Sequence, residues 1–134
     1  MTAKSFQITA ADFTMTSEVK IIGKDLLITV TGGNTPHIGT VTTITKETTC
    51  QTIRFPSHDG RFHKDDVLAE TIARVIQPDL PGNCTITAGV HVNGISQEQI
   101  EASFTMAEKL GEKLRNWLQE TSFDVAEPIY KKIK

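Results

Sequence analysis

The chain has 134 residues, a length that fits one domain with one core of modest size. Its hydrophobic fraction of 38% and charged fraction of 22% are typical of a globular protein and exclude a disordered or fibrous one. The formal net charge is −2, and the 14 basic residues are spread out apart from a short cluster at the C-terminal end, which argues against a nucleic-acid partner.

Targeting signals are not evident. No apolar run approaches the roughly 20 residues of a membrane helix, and residues 1–13 lack the layout of a signal peptide. We therefore expect a cytoplasmic protein without a membrane partner. Cys50 and Cys84 lie in β-branched runs, so we predict two buried free thiols.

The first part of the chain, up to about Phe55, alternates apolar and polar residues with a period of two. This pattern predicts successive antiparallel strands at residues 5–10, 18–22, 25–31, 39–45 and 49–55. The Gly23-Lys24 step is short enough for a tight hairpin between the second and third strands.

A helical pattern follows over residues 64–77, with two aspartates in its first turn and Pro78 as its stop. Residues 84–90 alternate again and predict a sixth strand. Ser96, with Gln99 three residues later, forms the capping-box spacing that begins a second helix. The apolar stripe of that helix consists of Ile100, Phe104, Ala107, Gly111, Leu114 and Leu118.

These elements predict an α+β fold: an antiparallel sheet of five to six strands with two helices packed on one face. We expect a single domain over residues 1–120 and a C-terminal tail over residues 121–134. The pattern leaves the second face of the sheet unassigned. An apolar second face would require self-association, so the sequence leaves a homo-oligomer as one possibility.

Glycines and one proline control the loop over residues 32–39. Gly32 and Gly33 permit close backbone approach, Pro36 fixes the backbone before His37, and the backbone amides of Gly33, Asn34 and Thr35 could cradle a phosphate. A plain glycine-rich hairpin with an exposed histidine explains the same residues.

Two further loops carry histidines. The loop over residues 56–66 holds His58 and His63 among basic residues and leads into a helix N-terminus, which attracts anions. His91 comes at a strand end, just before the turn signal Asn93-Gly94. A solvated polar loop and a hydrogen-bonding histidine are the alternative interpretations.

Histidines on three separate loops can form an open metal site, because neutral imidazole is a common ligand of borderline metals. His37, His63 and His91 are the candidates, although no short spacing such as HExxH is present. Catalytic signatures such as a GxSxG elbow or a cysteine beside a histidine are also missing from the sequence.

Three motifs carry a family resemblance: GGNTPHIG at residues 32–39, HKDD at 63–66 and AGVHVNGIS at 88–96. With them, the chain from about residue 20 to 118 resembles the LpdD-like chaperones of prenylated flavin, encoded with gallate decarboxylase. Phe62, where a glycine is expected, and a longer loop at residues 56–61 depart from the pattern.

The resemblance implies a non-enzymatic protein that binds reduced prenylated FMN and helps deliver it to a UbiD-type decarboxylase. The flavin prenyltransferase is a second candidate partner. A divalent metal ion of unknown identity, held by His37, His63 and His91, would contact the flavin. The implied cofactor-binding residues are Gly32, Gly33, Asn34, Thr35, His37, Arg54, Lys64 and His91.

Two other functions compete with this one. The first is a small metal-dependent enzyme acting on a phenolic or carboxylic substrate, with Asp59, Asp65 or Asp66 as general base. The second is an interaction module in which the histidines are structural and the sheet or the tail, with Trp117 and Tyr130, binds another protein.

Overall fold

The computed structural model describes residues 3–56 and 65–132 of the chain. The helices are α1 (Asp65–Ile76) and α2 (Gln97–Glu120), and a short 3-10 helix spans Gln77–Asp79. The strands are β1 (Ala3–Ala10), β2 (Phe13–Ile22), β3 (Asp25–Gly33), β4 (Thr40–Ile44), β5 (Gln51–Arg54) and β6 (Cys84–His91).

The strands form one six-stranded sheet in the order β1-β2-β3-β6-β4-β5, which confirms the predicted α+β fold. All neighbours are antiparallel except β3 and β6, which are parallel. The sequence predicted antiparallel pairing throughout and missed this pair. The reason is that β6 enters the sheet after α1 has crossed it, between β3 and β4 rather than at an edge.

Two-residue turns connect the first three strands. Gly23, at φ +64°, and Lys24 close the hairpin between β2 and β3, as predicted. Ala11 and Asp12 close the one before it, and both have positive φ, 49° and 66°. That turn lacks the usual glycine signature, so the sequence pattern placed the start of β2 at residue 18 instead of Phe13.

The helices pack on one face of the sheet and on each other. Residues such as Met15, Ile28 and Ile86 point into this layer and are fully buried. The predicted capping box of α2 is present, because Gln99 N donates to Ser96 Oγ over 3.1 Å and Ser96 N donates to Gln99 Oε1 over 3.0 Å. Of the predicted stripe, Ala107, Gly111, Leu114 and Leu118 are buried, and Ile100 and Phe104 are half-buried.

Helix α1 ends at Ile76, and the 3-10 helix that follows contains Pro78, close to the predicted stop. The predicted first residue of α1, Lys64, lies outside the described residues. The same is true of His58 and His63.

The face of the sheet that points away from the helices is mainly threonine. Half-buried residues alternate with buried ones along each central strand. This face is therefore not the apolar surface that would require self-association. Its half-buried members include Leu27, Val41 and the threonines Thr14, Thr16, Thr29, Thr31, Thr85 and Thr87.

Both cysteines are free thiols. Cys84 is 2% exposed, as predicted. Cys50 is only half-buried, because it comes in the turn just before β5 rather than inside a strand. Within the two described ranges, no helix combines the length and the apolar character needed to cross a membrane.

Residues 121–132 form no helix or strand. Phe123 packs edge-on against Trp117 with ring centroids 6.3 Å apart, and Lys24 forms an ion pair with Glu127. The tail thus folds back on the domain as far as residue 127. Beyond it Tyr130 is 83% exposed. The division into a domain over residues 1–120 and a tail over 121–134 stays a prediction.

Candidate functional site

The loop from Asn34 to Gly39 connects β3 to β4. Because these strands flank β6 on opposite sides, the loop has to cross β6. The backbone amide of Asn34 donates to the carbonyl of His91 over 2.7 Å, and the amide of Gly39 donates to the carbonyl of Ala88 over 2.8 Å. Hydrogen bonds on both sides of β6 therefore fix the crossing loop to the strand beneath it.

Two glycines make this close crossing feasible. A Cβ atom on Gly89 would overlap the backbone carbonyl of His37, and one on Gly33 would overlap the carbonyl of His91. Gly33 also has φ +77°, a conformation that side chains disfavour. The sequence predicts Gly33 as a close-approach residue but gives Gly89 no role, although a glycine inside a strand is a known sign of such an approach.

His37 lies in the crossing loop with 29% of its side chain exposed. Its Nδ1 is 2.9 Å from the carbonyl oxygen of Thr35. A carbonyl oxygen can only accept, so Nδ1–H is the donor. Its Nε2 is 3.5 Å from Oδ2 of Asp65. The ring is thus placed between its own loop and the first residue of α1.

His91 belongs to the second loop of the site. Its side chain is exposed, and its Nε2 is 3.1 Å from Oδ1 of Asn93. The backbone amide of Asn93 donates to Oδ1 of Asn34 over 2.8 Å. Together with the bond from Asn34 N to His91 O, this contact joins the loops of His37 and His91 into one surface.

The predicted loop over residues 56–66 lies mostly outside the described residues, and so do His63 and Lys64. Its described flanks are Arg54 and the first turn of α1. Nη1 of Arg54 is 3.9 Å from Oδ2 of Asp66, and both side chains are partly exposed. The carboxylates of Asp65 and Asp66 complement the positive end of the helix dipole. They make this helix end less favourable for an anion than its sequence position suggested.

Two of the three backbone amides that the sequence predicted for a phosphate cradle are engaged within the protein. Both Asn34 N and Thr35 N donate to the carbonyl of His91, at 2.7 and 3.4 Å. An anion that used these two amides would therefore have to displace both bonds.

The predicted metal site has no complete ligand set among the described residues. Within residues 3–56 and 65–132, no group of three or more His, Cys, Asp or Glu side chains could hold a metal ion. The separation of 3.5 Å between His37 Nε2 and Asp65 Oδ2 is that of an ordinary His–Asp ion pair. His63, another of the predicted ligands, lies outside the described residues.

Asp65 is the member of the site that sequence reasoning undervalued. The sequence predicts it as a first-turn aspartate of the helix and as a candidate general base of an alternative enzyme. It is 2% exposed and contacts both the crossing loop and β6. The HKDD motif placed it at a helix start, but its burial depends on β6 lying beside β4, which local patterns do not reveal.

Comparison with known proteins shows the family of the chain. A family model described as the prenylated flavin chaperone LpdD-like domain matches residues 9–119, which include both joined loops. The chain belongs to this family. As a member of the LpdD-like family, it is a chaperone rather than an enzyme.

Two individual proteins are similar to this LpdD-like chain. Protein LpdD of Lactiplantibacillus plantarum is 48% identical over 126 residues, which cover 94% of this chain and 93% of that protein. A chain in the crystal structure of a chaperone complex for yeast 20S proteasome assembly is 14% identical, with a TM-score of 0.49, over 88% of this chain and 98% of that one. The similarity to the proteasome-assembly chaperone is too low to indicate a function.

Proposed function

We propose that this chain binds reduced prenylated FMN and assists its delivery to a UbiD-type decarboxylase in the cytoplasm, as gallate decarboxylation would require. The flavin prenyltransferase is the proposed source of the cofactor. The observation that carries the proposal is that the family match spans the two joined loops, residues 34–39 and 91–94. These loops present His37 and His91 from a rigid sheet end, which is where binding groups are usually placed.

The proposed cofactor surface is formed by the crossing loop and its surroundings. Its described members lie in the crossing loop and at the ends of β3, β5 and β6, and Lys64 is proposed with them from the sequence alone. They are Gly32, Gly33, Asn34, Thr35, His37, Arg54 and His91. Since the backbone amides of Asn34 and Thr35 are engaged, the half-exposed guanidinium of Arg54 is the best supported described group for the phosphate.

We also propose a divalent cation held by His37, His63 and His91, which when bound would supply an attachment point for the flavin. His37 would use Nε2, because its Nδ1–H donates to Thr35. His91 would use Nδ1, because its Nε2 lies against Asn93 Oδ1. The support for this cation is the family resemblance and the placement of His37 and His91 on two loops that are hydrogen-bonded to each other.

Delivery is tested with the full-length protein loaded anaerobically with reduced prenylated FMN and mixed with a cofactor-free UbiD-type decarboxylase. We expect activity to appear faster than with the same concentration of free cofactor. A loaded protein that retains the cofactor, or that gives no advantage over free cofactor, would contradict the delivery role.

The metal is tested separately by elemental analysis of the purified protein and of a His37→Ala variant. Gln97→Ala, an exposed change at the start of α2, is the matched control. We expect metal near one equivalent in the wild type and in the control, and its loss in His37→Ala. Metal content that is unchanged in His37→Ala would remove His37 from the metal site.

A further inference from the structure

The carboxyl group of Asp65 is almost completely buried, although Asp65 is the first residue of a helix. Asp65 is 2% exposed as a residue. A buried carboxylate is costly unless hydrogen bonds compensate for its lost hydration. Its two oxygens contact two different parts of the molecule, so its burial needs a structural explanation.

One oxygen completes the sheet. Oδ1 accepts a hydrogen bond from the backbone amide of Val90 over 3.0 Å. Val90 lies two residues beyond the last pair between β4 and β6, Thr40 with Ala88, so β4 supplies no partner at this position. The side chain of Asp65 therefore takes the place of a strand neighbour at the end of β6.

The other oxygen faces the crossing loop. Oδ2 lies 3.5 Å from Nε2 of His37, while Nδ1 of the same ring donates to Thr35. Each ring nitrogen thus faces an oxygen, so the imidazole lies between Thr35 on one side and Asp65 on the other. Gly39 is part of the arrangement, since a Cβ atom there would overlap Asp65 Oδ2.

From this geometry we infer that Asp65 is a positioning residue for His37. By bonding the end of β6 through one oxygen and facing Nε2 through the other, it sets the orientation of the imidazole relative to the strand that the loop crosses. The consequence for binding rests on the proposed function, in which His37 contacts the cofactor or its metal. The orientation of the ring by Asp65 does not depend on that proposed function.

An Asp65→Asn variant separates the two contacts. Asparagine keeps an oxygen that can accept from Val90 N, but it places a neutral NH₂ group opposite His37 Nε2 in place of the second carboxyl oxygen. The matched control is Asp66→Asn, the next residue on α1, which faces Arg54 instead. Thermal unfolding, anaerobic cofactor titration and the ring ¹⁵N chemical shifts of the histidines, all at one pH, are the measurements.

We expect Asp65→Asn to keep a melting temperature close to that of the wild type and to shift the ring ¹⁵N signals of His37 but not those of His91. Affinity for reduced prenylated FMN should fall about 10- to 100-fold, the range for partners that orient a binding side chain. Asp66→Asn should change neither the His37 signals nor the affinity by a comparable amount.

Unchanged His37 signals in Asp65→Asn would overturn the inference, and so would unchanged affinity in a variant whose His37 signals have shifted. A wild-type protein that does not bind the cofactor would refute the proposed function instead. The ring signals of the ligand-free protein would still decide whether Asp65 positions His37.

Discussion

The backbone carbonyl of His37 lies against Gly89, in the space that a Cβ atom would fill. A Gly89→Ala variant therefore has to displace the loop or the strand, at a cost of about 1–3 kcal/mol for an overpacked position. Chemical denaturation measures the loss. Thr87→Ala, on the same face of β6, adds no atoms and is the control. A Gly89→Ala protein as stable as the control would show that the loop does not need this close contact.

The side chain of Asn34 makes one of the hydrogen bonds that join the two histidine loops, since its Oδ1 accepts from the backbone amide of Asn93. Asn34→Ala removes this acceptor at an exposed position and should cost about 1 kcal/mol. We expect amide hydrogen exchange at Asn93 to accelerate about fivefold. Asn34→Asp keeps the acceptor and should exchange like the wild type. Equal protection in Asn34→Ala would mean that this bond does not hold the loops together.

Much of the fold follows from the sequence because alternation and helical periodicity report which face of an element is buried. They predicted the hairpin at Gly23, the capping box at Ser96 and the buried face of α2. They do not report which strands become neighbours. The insertion of β6 beside β3, and the parallel pairing that results, depends on tertiary packing that single-sequence patterns do not encode.

The candidate site shows the same division. The motif around His37 marked the loop that crosses β6, and the turn signal after His91 marked the loop that is hydrogen-bonded to it. The roles of Gly89 and Asp65 depend on the loop crossing β6, so they could not be derived from local spacing. The part of the site at His63 and Lys64 stays a prediction.

The cysteines predict a pH dependence of stability. Burial, and to a lesser extent Cys50, raises the pKa of Cys84 from 9.0 to about 12. The folded protein therefore favours the neutral thiol, and the stability that this contributes is present below pH 9.0 and lost as the pH rises towards about 12. Denaturation midpoints at about pH 8 and about pH 11 should fall more in the wild type than in Cys84→Ala. Equal falls would show that Cys84 is not responsible.

Thiol alkylation gives a second, independent measurement of how deeply the two cysteines are buried. Cys50 is half-buried, and its pKa is also raised, first by burial and then by the carboxylate of Glu70. We expect Cys50 to react slowly in the native protein near pH 8 and Cys84 to react only when the protein unfolds, because the thiolate is the reactive form. Alkylation of Cys84 at the rate of Cys50 would contradict its burial. Mass spectrometry of the two peptides distinguishes them.

The capping box of α2 offers a variant that changes stability far from the proposed binding chemistry. Ser96→Ala removes the acceptor for Gln99 N and should cost about 1 kcal/mol, or about 4 °C in melting temperature. Cofactor affinity measured well below the transition should stay at the wild-type value. If affinity falls with stability in this variant, then losses in the loop variants cannot be assigned to the loops.

Recognition of reduced prenylated FMN is the function that we propose for this member of the LpdD-like family. Anaerobic titration of the full-length protein with reduced prenylated FMN and, in parallel, with reduced FMN tests it most directly. We expect saturable binding of the prenylated cofactor that is at least about tenfold tighter than that of FMN, a difference of about 1.4 kcal/mol. Weak binding of both flavins with the same affinity would contradict the proposed function.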